Sequence, residues 1–193
     1  HGEYRYGFQR EDNNLMNELI PFAHIIISVL SQELPQNGIG MNLHASAVNV
    51  DQKGIIAPGR SGSGKSTLYQ LHQKEKRISD ETTIVLKHEN QWYVYSFLES
   101  VFYNTPSLLP IRAFLLLKHE KENHLEQLDS KKLAPHIMKN VHVFGIREKV
   151  FQNDSLFSLA YEIAQSVPFY QFSFNLKNPQ QYLVDFFYAD SNK

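Results

Sequence analysis

Apolar residues recur at helical spacing between Asn14 and Glu33, at Leu15, Leu19, Ile20, Phe22, Ala23, Ile26, Ile27 and Leu30. That spacing predicts a helix whose broad stripe packs into the core. Few cations flank it, which argues against a membrane or partner surface, and Gln36-Asn37-Gly38 ends it. Leu43 to Val50 and Gly54 to Ala57 read as strands joined by Asp51-Gln52-Lys53. Thr82 to Lys87 and Gln91 to Ser96, rich in β-branched and aromatic residues, predict a second hairpin around His88-Glu89-Asn90.

Further on, Arg112 to Lys118 predicts a buried strand, Leu125 to Leu128 a short one, and Ser130 to Asn140 a helix despite Pro135. Asp154 to Ser166 opens on a capping aspartate, holds helical periodicity and stops before Pro168. Phe169 to Asn175 alternates as a strand does, and Pro179 to Tyr188 reads as an amphipathic helix with its proline in the first turn. Hairpins among these elements argue against a regularly alternating parallel sheet. The predicted class is α/β: a mixed sheet with flanking helices.

A length of 193 residues fits one domain, with an N-terminal helical segment over 1–42 and a core over 43–193. The net charge of −1 and the lack of a Lys/Arg stripe argue against nucleic acid as a partner. There is no cysteine, which removes disulfides, thiolate metal sites and a cysteine nucleophile together. The longest apolar run, Leu19 to Leu30, contains Pro21 and His24 and is too short to span a bilayer, so no membrane partner is expected. The chain opens on His1-Gly2 without a methionine, as a trimmed tag or a fragment would.

Chemistry concentrates at Gly59-Arg60-Ser61-Gly62-Ser63-Gly64-Lys65-Ser66, which fits the phosphate-binding pattern GxxxxGKS in full. Glycines at 59, 62 and 64 let backbone N–H groups turn inward, Lys65 brings a positive charge to the β/γ-phosphates, and the Ser66 hydroxyl can ligand Mg²⁺. Thr67 continues the segment into a predicted helix, Ser66 to Leu71, whose N-terminus adds partial positive charge. The pattern points to a nucleoside triphosphate, ATP with Mg²⁺, and hence to the cytoplasm. Arg60 could add charge to a transition state or stand solvated.

Such a loop needs an acidic partner for the metal. The chain offers Asp80-Glu81, fifteen residues after Lys65 and just before a predicted strand. One carboxylate could hold Mg²⁺ while Asp80 accepts a proton from an attacking hydroxyl; the alternative is a solvated turn. His44, opening the strand that precedes the loop, is a second candidate, against a plain packing or surface role. The loop Glu99 to Pro110, with Phe102, Tyr103 and two prolines, reads as an apolar rim for an acceptor.

Together LHASAVNV, GRSGSGKSTL and RISDETTIV, over His44 to Val85, resemble the catalytic domain of HPr serine kinase/phosphorylase and its shorter relatives. The tail Val167 to Phe172 is similar to the "VPxYxL" strand of small HPr-kinase-like proteins. The resemblance implies a phosphoenolpyruvate-carboxykinase-like P-loop fold and ATP-dependent phosphorylation of a hydroxyl, commonly a serine. It implies Lys65 and Ser66 on phosphates and metal, Asp80 as base, Asp80 and Glu81 toward the metal, and His44 on the phosphate side. It also leaves a homo-oligomer open, since the bifunctional relatives form hexamers. The chain departs from the family in having Asp80-Glu81 where two aspartates are usual. The family's glycine-rich signature and basic substrate loop are not found between Val141 and Asn153.

Three functions follow for comparison. The favoured one is a kinase acting on a hydroxyl of a peptide, protein or small molecule, with ATP and ADP as nucleotide partners. The second is a nucleotide-binding regulatory or assembly module without transfer. A transport or motor ATPase is third, weakened by the absence of an LSGGQ-like signature and of a late apolar strand ending in aspartate.

Overall fold

The computed structural model describes residues 13–98, 108–142 and 154–191. The first element is α1 (Asn13–Gln36). Within its predicted stripe Ala23 and Ile27 are buried and Leu19, Ile20, Ile26 and Leu30 half-buried, whereas Phe22 is 60% exposed; outside it Ser31 and Leu34 are buried and Ile25 and Val29 are 61% and 52% exposed. A helix lying on a domain surface buries one line of side chains, and a stripe this broad exceeds what one contact face covers. Ser31 joins the helix to the next element: its hydroxyl donates to the Ile27 carbonyl and accepts from Asn42 Nδ2 at 2.9 Å.

That element is β1 (Gly40–Val50), which turns into β2 (Lys53–Pro58) through Asp51 and Gln52, at φ of 52° and 56°. Two central residues with positive φ make the tight hairpin whose twist matches its strands. Division of the chain at residue 42 therefore falls inside β1. After the glycine loop and α2 (Lys65–Leu71) come β3 (Arg77–Ser79), β4 (Thr82–His88) and β5 (Gln91–Tyr95). The last two form the second predicted hairpin. Next are β6 (Leu108–His119), β7 (His124–Gln127), α3 (Leu133–Lys139), α4 (Asp154–Ser166), β8 (Phe169–Phe174) and α5 (Pro179–Ser191). A 3-10 turn at Ser130–Lys132 precedes α3. Pro135 sits in the first turn of α3, where its missing N–H interrupts no helical bond.

The strands make one mixed sheet in the order β2-β1-β4-β5-β6-β8-β7, with β3 on β1 and a further parallel pairing of β2 with β6. β1 pairs with β4 over Gly40 to His44 and with β2 over Ala45 to Val50. β6 likewise changes partner, from β5 at Leu108 to Pro110, to β2, and then to β8 from Phe114 to His119. Leu108 to Pro110 thus belong to a strand rather than to the expected loop, because Tyr93 to Tyr95 supply a ladder for them. Residues 99–107 lie outside the described residues.

Both faces are covered. Ile56, Phe114 and Phe169 join one core with Leu133, Leu156 and Ile163 of α3 and α4. Ile55, Ala57, Leu115, Phe172 and Phe174 join the other with Leu68 of α2 and Leu183 and Phe187 of α5. Strand side chains alternate between faces, so the apolar runs Ile55 to Ala57 of β2 and Ala113 to Leu117 of β6 are what a sheet buried on both sides requires. No helix among the described residues is long and apolar enough to cross a membrane.

Candidate functional site

Three parallel strand ends, Pro58 of β2, His119 of β6 and Phe174 of β8, meet at the start of α2. Gly62 and Gly64 have φ of 81° and 99°, a conformation open to glycine, and Gly64 is the residue before the helix. The Gly59 N–H donates to the His44 carbonyl at 3.2 Å, and Leu68 N–H closes the first helical bond on Gly64 at 2.9 Å. Arg60 and Ser61 are exposed and Thr67 is half-buried. Lys65 is only 3% exposed, and its Nζ donates to the Arg60 carbonyl at 3.1 Å, folding back over the loop. Burial lowers the Lys65 pKa, while Glu81 and then Asp80 act to raise it.

Asp80 and Glu81 stand where one long strand is interrupted. β3 and β4 run antiparallel along the same edge of β1 in one register, Ala47 opposite Ser79 and His44 opposite Thr82. The interruption is bracketed by buried hydroxyls. Ser79 Oγ and Thr83 Oγ1 hydrogen-bond each other, Thr83 donates to the Ala45 carbonyl at 2.8 Å, and Ala45 N–H donates to the Glu81 carbonyl at 3.3 Å. The dipeptide is accordingly partly buried rather than a solvated turn. Ser66 lies beside the Asp80 carboxylate, so the loop and the acidic turn come together there. Burial raises the Asp80 pKa and Glu81 adds to the rise; the Ser66 hydroxyl, Lys65 and Arg77 oppose it. Arg77 is itself held by the His72 and Gln70 carbonyls, at 2.9 and 2.6 Å.

His44 does not open β1; it lies within it, at the point where the strand passes from β4 to β2. Its Nδ1 is 3.2 Å from Glu81 Oε2, and its ring meets His142 edge-on with centroids 5.7 Å apart. Burial, and then Lys65, lower its pKa, so the ring is neutral near pH 7. A carboxylate only accepts, and Nδ1 is the ring nitrogen that faces Glu81.

A pocket of about 150 Å³ is lined by Ser61, Gly62, Gly64, Lys65, Ser66, Thr67, Glu81 and His119. Of the residues singled out in the sequence, Ser61, Gly62, Gly64, Lys65, Ser66, Thr67 and Glu81 line this opening; Gly59, Arg60, Ser63, Asp80 and His44 do not, and His44 lies against Glu81. His119 escaped the sequence reading. Its signal was present, since the apolar run of β6 ends in Lys118-His119-Glu120, but only the parallel pairing with β2 shows that this end points at the loop. His136 escaped too; its Nε2 donates to the Pro58 carbonyl at 3.1 Å and supports the loop from beneath.

Among the described residues no group of three or more His, Asp or Glu side chains is placed to hold a metal ion. The donor set at the loop nevertheless fits Mg²⁺. It consists of a hydroxyl and two carboxylates, hard oxygen ligands, and Mg²⁺ characteristically takes few protein ligands beside phosphate oxygens and water.

No protein-family model matches the chain, and no curated protein matches it. Among solved structures, the chain is distantly similar to the HPr(Ser) kinase/phosphatase from Coxiella burnetii. The TM-score is 0.41 and the identity 12%, over 79% of this chain and 99% of that one.

Proposed function

We propose that the protein is an ATP-dependent kinase that transfers the γ-phosphoryl group to a hydroxyl of a peptide, protein or small molecule, on a P-loop domain of the HPr-kinase-like type. The observation that carries the reading is the pocket in which buried Lys65 and Ser66 of the GxxxxGKS loop meet Glu81, with the Asp80 carboxylate beside Ser66. Together they supply a phosphate cradle, a metal seat and a base. Backbone N–H groups of Gly62 and of Gly64 to Thr67, with the Lys65 ammonium, hold the phosphates. Ser66, Asp80 and Glu81 are the residues to hold Mg²⁺, which when bound supplies Lewis-acid stabilisation of phosphoryl oxygens.

In the transfer, the acceptor oxygen forms a bond to the γ-phosphorus while the bond to the β-phosphate oxygen breaks, leaving ADP. The acceptor proton passes to Asp80, which must be ionised to receive it. His44 holds Glu81 in place through Nδ1. A cytoplasmic setting follows from the ATP requirement.

One observation favours a second reading, a nucleotide-binding module without transfer: Glu81 is already engaged by His44. The test is thermal unfolding with and without Mg·ATP, run on the wild type, Lys65→Ala and Asp80→Asn, beside a transfer assay. Ligand at a hundred times Kd stabilises by about 2.7 kcal/mol, a rise of roughly several degrees at this size. A kinase shows that rise in the wild type and Asp80→Asn but not in Lys65→Ala, with transfer lost in both variants. A rise without transfer in the wild type, across a broad panel of hydroxyl acceptors and water, leaves the silent module. No rise refutes nucleotide binding.

A further inference from the structure

Among the described residues, His119 is the pocket-lining side chain that comes from neither the segment Gly59 to Thr67 nor the acidic turn. Its position is built rather than incidental. In the parallel ladder of β6 and β8 it pairs with Phe174, the following Glu120 N–H donates to the Phe174 carbonyl at 3.0 Å, and the two rings meet with centroids 4.8 Å apart. The edge of the imidazole lies on the α-carbon of Gly64: a Cβ there would come within 3.0 Å of His119 Nε2 and 2.9 Å of Phe174 Cζ. Glycine at 64 therefore serves two ends, the left-handed turn and the admission of this ring to the start of α2. Within the described residues the ring nitrogens of His119 have no hydrogen-bond partner.

The charges around the pocket make such a donor useful. Among the described residues Lys65 is its lining lysine, and Glu81 is its lining carboxylate. Lys118 and Glu120, the neighbours of His119 in sequence, are paired with each other at 2.7 Å. A terminal phosphate seated beside Lys65 and Ser66 carries several oxygens, each able to accept more than one hydrogen bond. An imidazole N–H supplies a further donor at the place where the terminal phosphate must lie.

Resting on the nucleotide-binding reading above, we infer that His119 donates a hydrogen bond from its ring to the terminal phosphate of a bound nucleoside triphosphate, so that this residue sets the preference for triphosphate over diphosphate. Phe174 and Gly64 hold the ring in that position.

The experiment is calorimetric titration of the full chain with Mg·ATP and with Mg·ADP, for the wild type, His119→Phe, His119→Gln and Lys65→Ala. His119→Phe keeps an aromatic ring against Phe174 and removes the N–H; His119→Gln restores a donor. The expected result is a loss of about tenfold in Mg·ATP affinity for His119→Phe, the size of one charge-assisted hydrogen bond. Mg·ADP affinity and the ligand-free melting temperature should stay near the wild type, and His119→Gln should recover part of the loss. Unchanged Mg·ATP affinity in His119→Phe, or an equal loss for both nucleotides, overturns the inference and leaves nucleotide binding standing provided Lys65→Ala abolishes it. Failure of the wild type to bind either nucleotide overturns both.

Discussion

Glu81 Oε2 stands 3.2 Å from His44 Nδ1 while the same carboxylate helps to keep buried Lys65 charged. One acidic group thus orients an imidazole on one side and supports an ammonium on the other. Of the two carboxylates that act on Lys65, Glu81 is the stronger. Removing it in Glu81→Ala lowers the Lys65 pKa further, so Mg·ATP affinity should begin to fall at a lower pH than in the wild type. Titrations from about pH 7 to about pH 10, the approach to the ordinary lysine range, read this directly. Coincident curves for the two proteins would show that Glu81 gives Lys65 no support.

Asp80 must lose its proton before it can take one from an acceptor. Its pKa is raised, chiefly by burial, so kcat/KM should climb with pH through a carboxylate value above the ordinary one and then level. Asp80→Asn should lower transfer by about 10²- to 10⁴-fold while Mg·ATP still binds. Initial rates of ADP release, with water as acceptor if no better one is found, provide the profile. A variant as fast as the wild type would remove Asp80 from the chemistry.

Thr83 ties Ser79 and the Ala45 carbonyl into the bracket that carries the acidic turn. Thr83→Val keeps shape and removes the hydroxyl. The expected cost is about 1–3 kcal/mol, since the Ala45 carbonyl is left without that bond, seen as a fall of roughly 2–10 °C in melting temperature. Transfer should fall more than nucleotide affinity does, because the bracket positions carboxylates and not the loop. Equal losses in both would mean that the bracket is purely structural.

Acid should loosen the protein through His142. Burial, with His44 and His24 adding to it, holds the His142 pKa down at about 4. The unfolded chain takes up that proton near the ordinary value of about 6.5. Stability from this group is therefore complete above the unfolded value and is lost as pH falls toward the folded one. Allowing for the ring's partial exposure, the loss is on the order of 2 kcal/mol. Melting curves between pH 7 and pH 4 should fall less steeply for His142→Phe than for the wild type. Parallel curves would assign the acid sensitivity elsewhere.

Much of this architecture is readable in the sequence because local chemistry specified it. Asp51 and Gln52 turn the first hairpin, and the two-faced apolar runs of β2 and β6 declare buried strands. The period of Asp154 to Ser166 declares a helix, and all of these are where the residues put them. What escaped depends on partners distant in sequence. Nothing near Leu108 to Pro110 reveals that Tyr93 to Tyr95 wait to pair with them. The exposure of Phe22, Ile25 and Val29 depends on how much of α1 the sheet can cover. His119 became visible as a pocket residue only once β6 was seen to run parallel to β2. At the candidate site, the glycine loop and Asp80-Glu81 were legible as motifs. Their mutual distance, and the hydroxyl bracket that sets it, were not.

β1 carries His44 where it exchanges one neighbour for another, and the His44 carbonyl takes the Gly59 N–H. The loop and the strand of the histidine are thus tied by a direct backbone bond. On the proposed kinase reading, an acceptor would be brought up to a surface already set at that point, and changes around the rim of the pocket would alter which hydroxyl is accepted while leaving that tie in place.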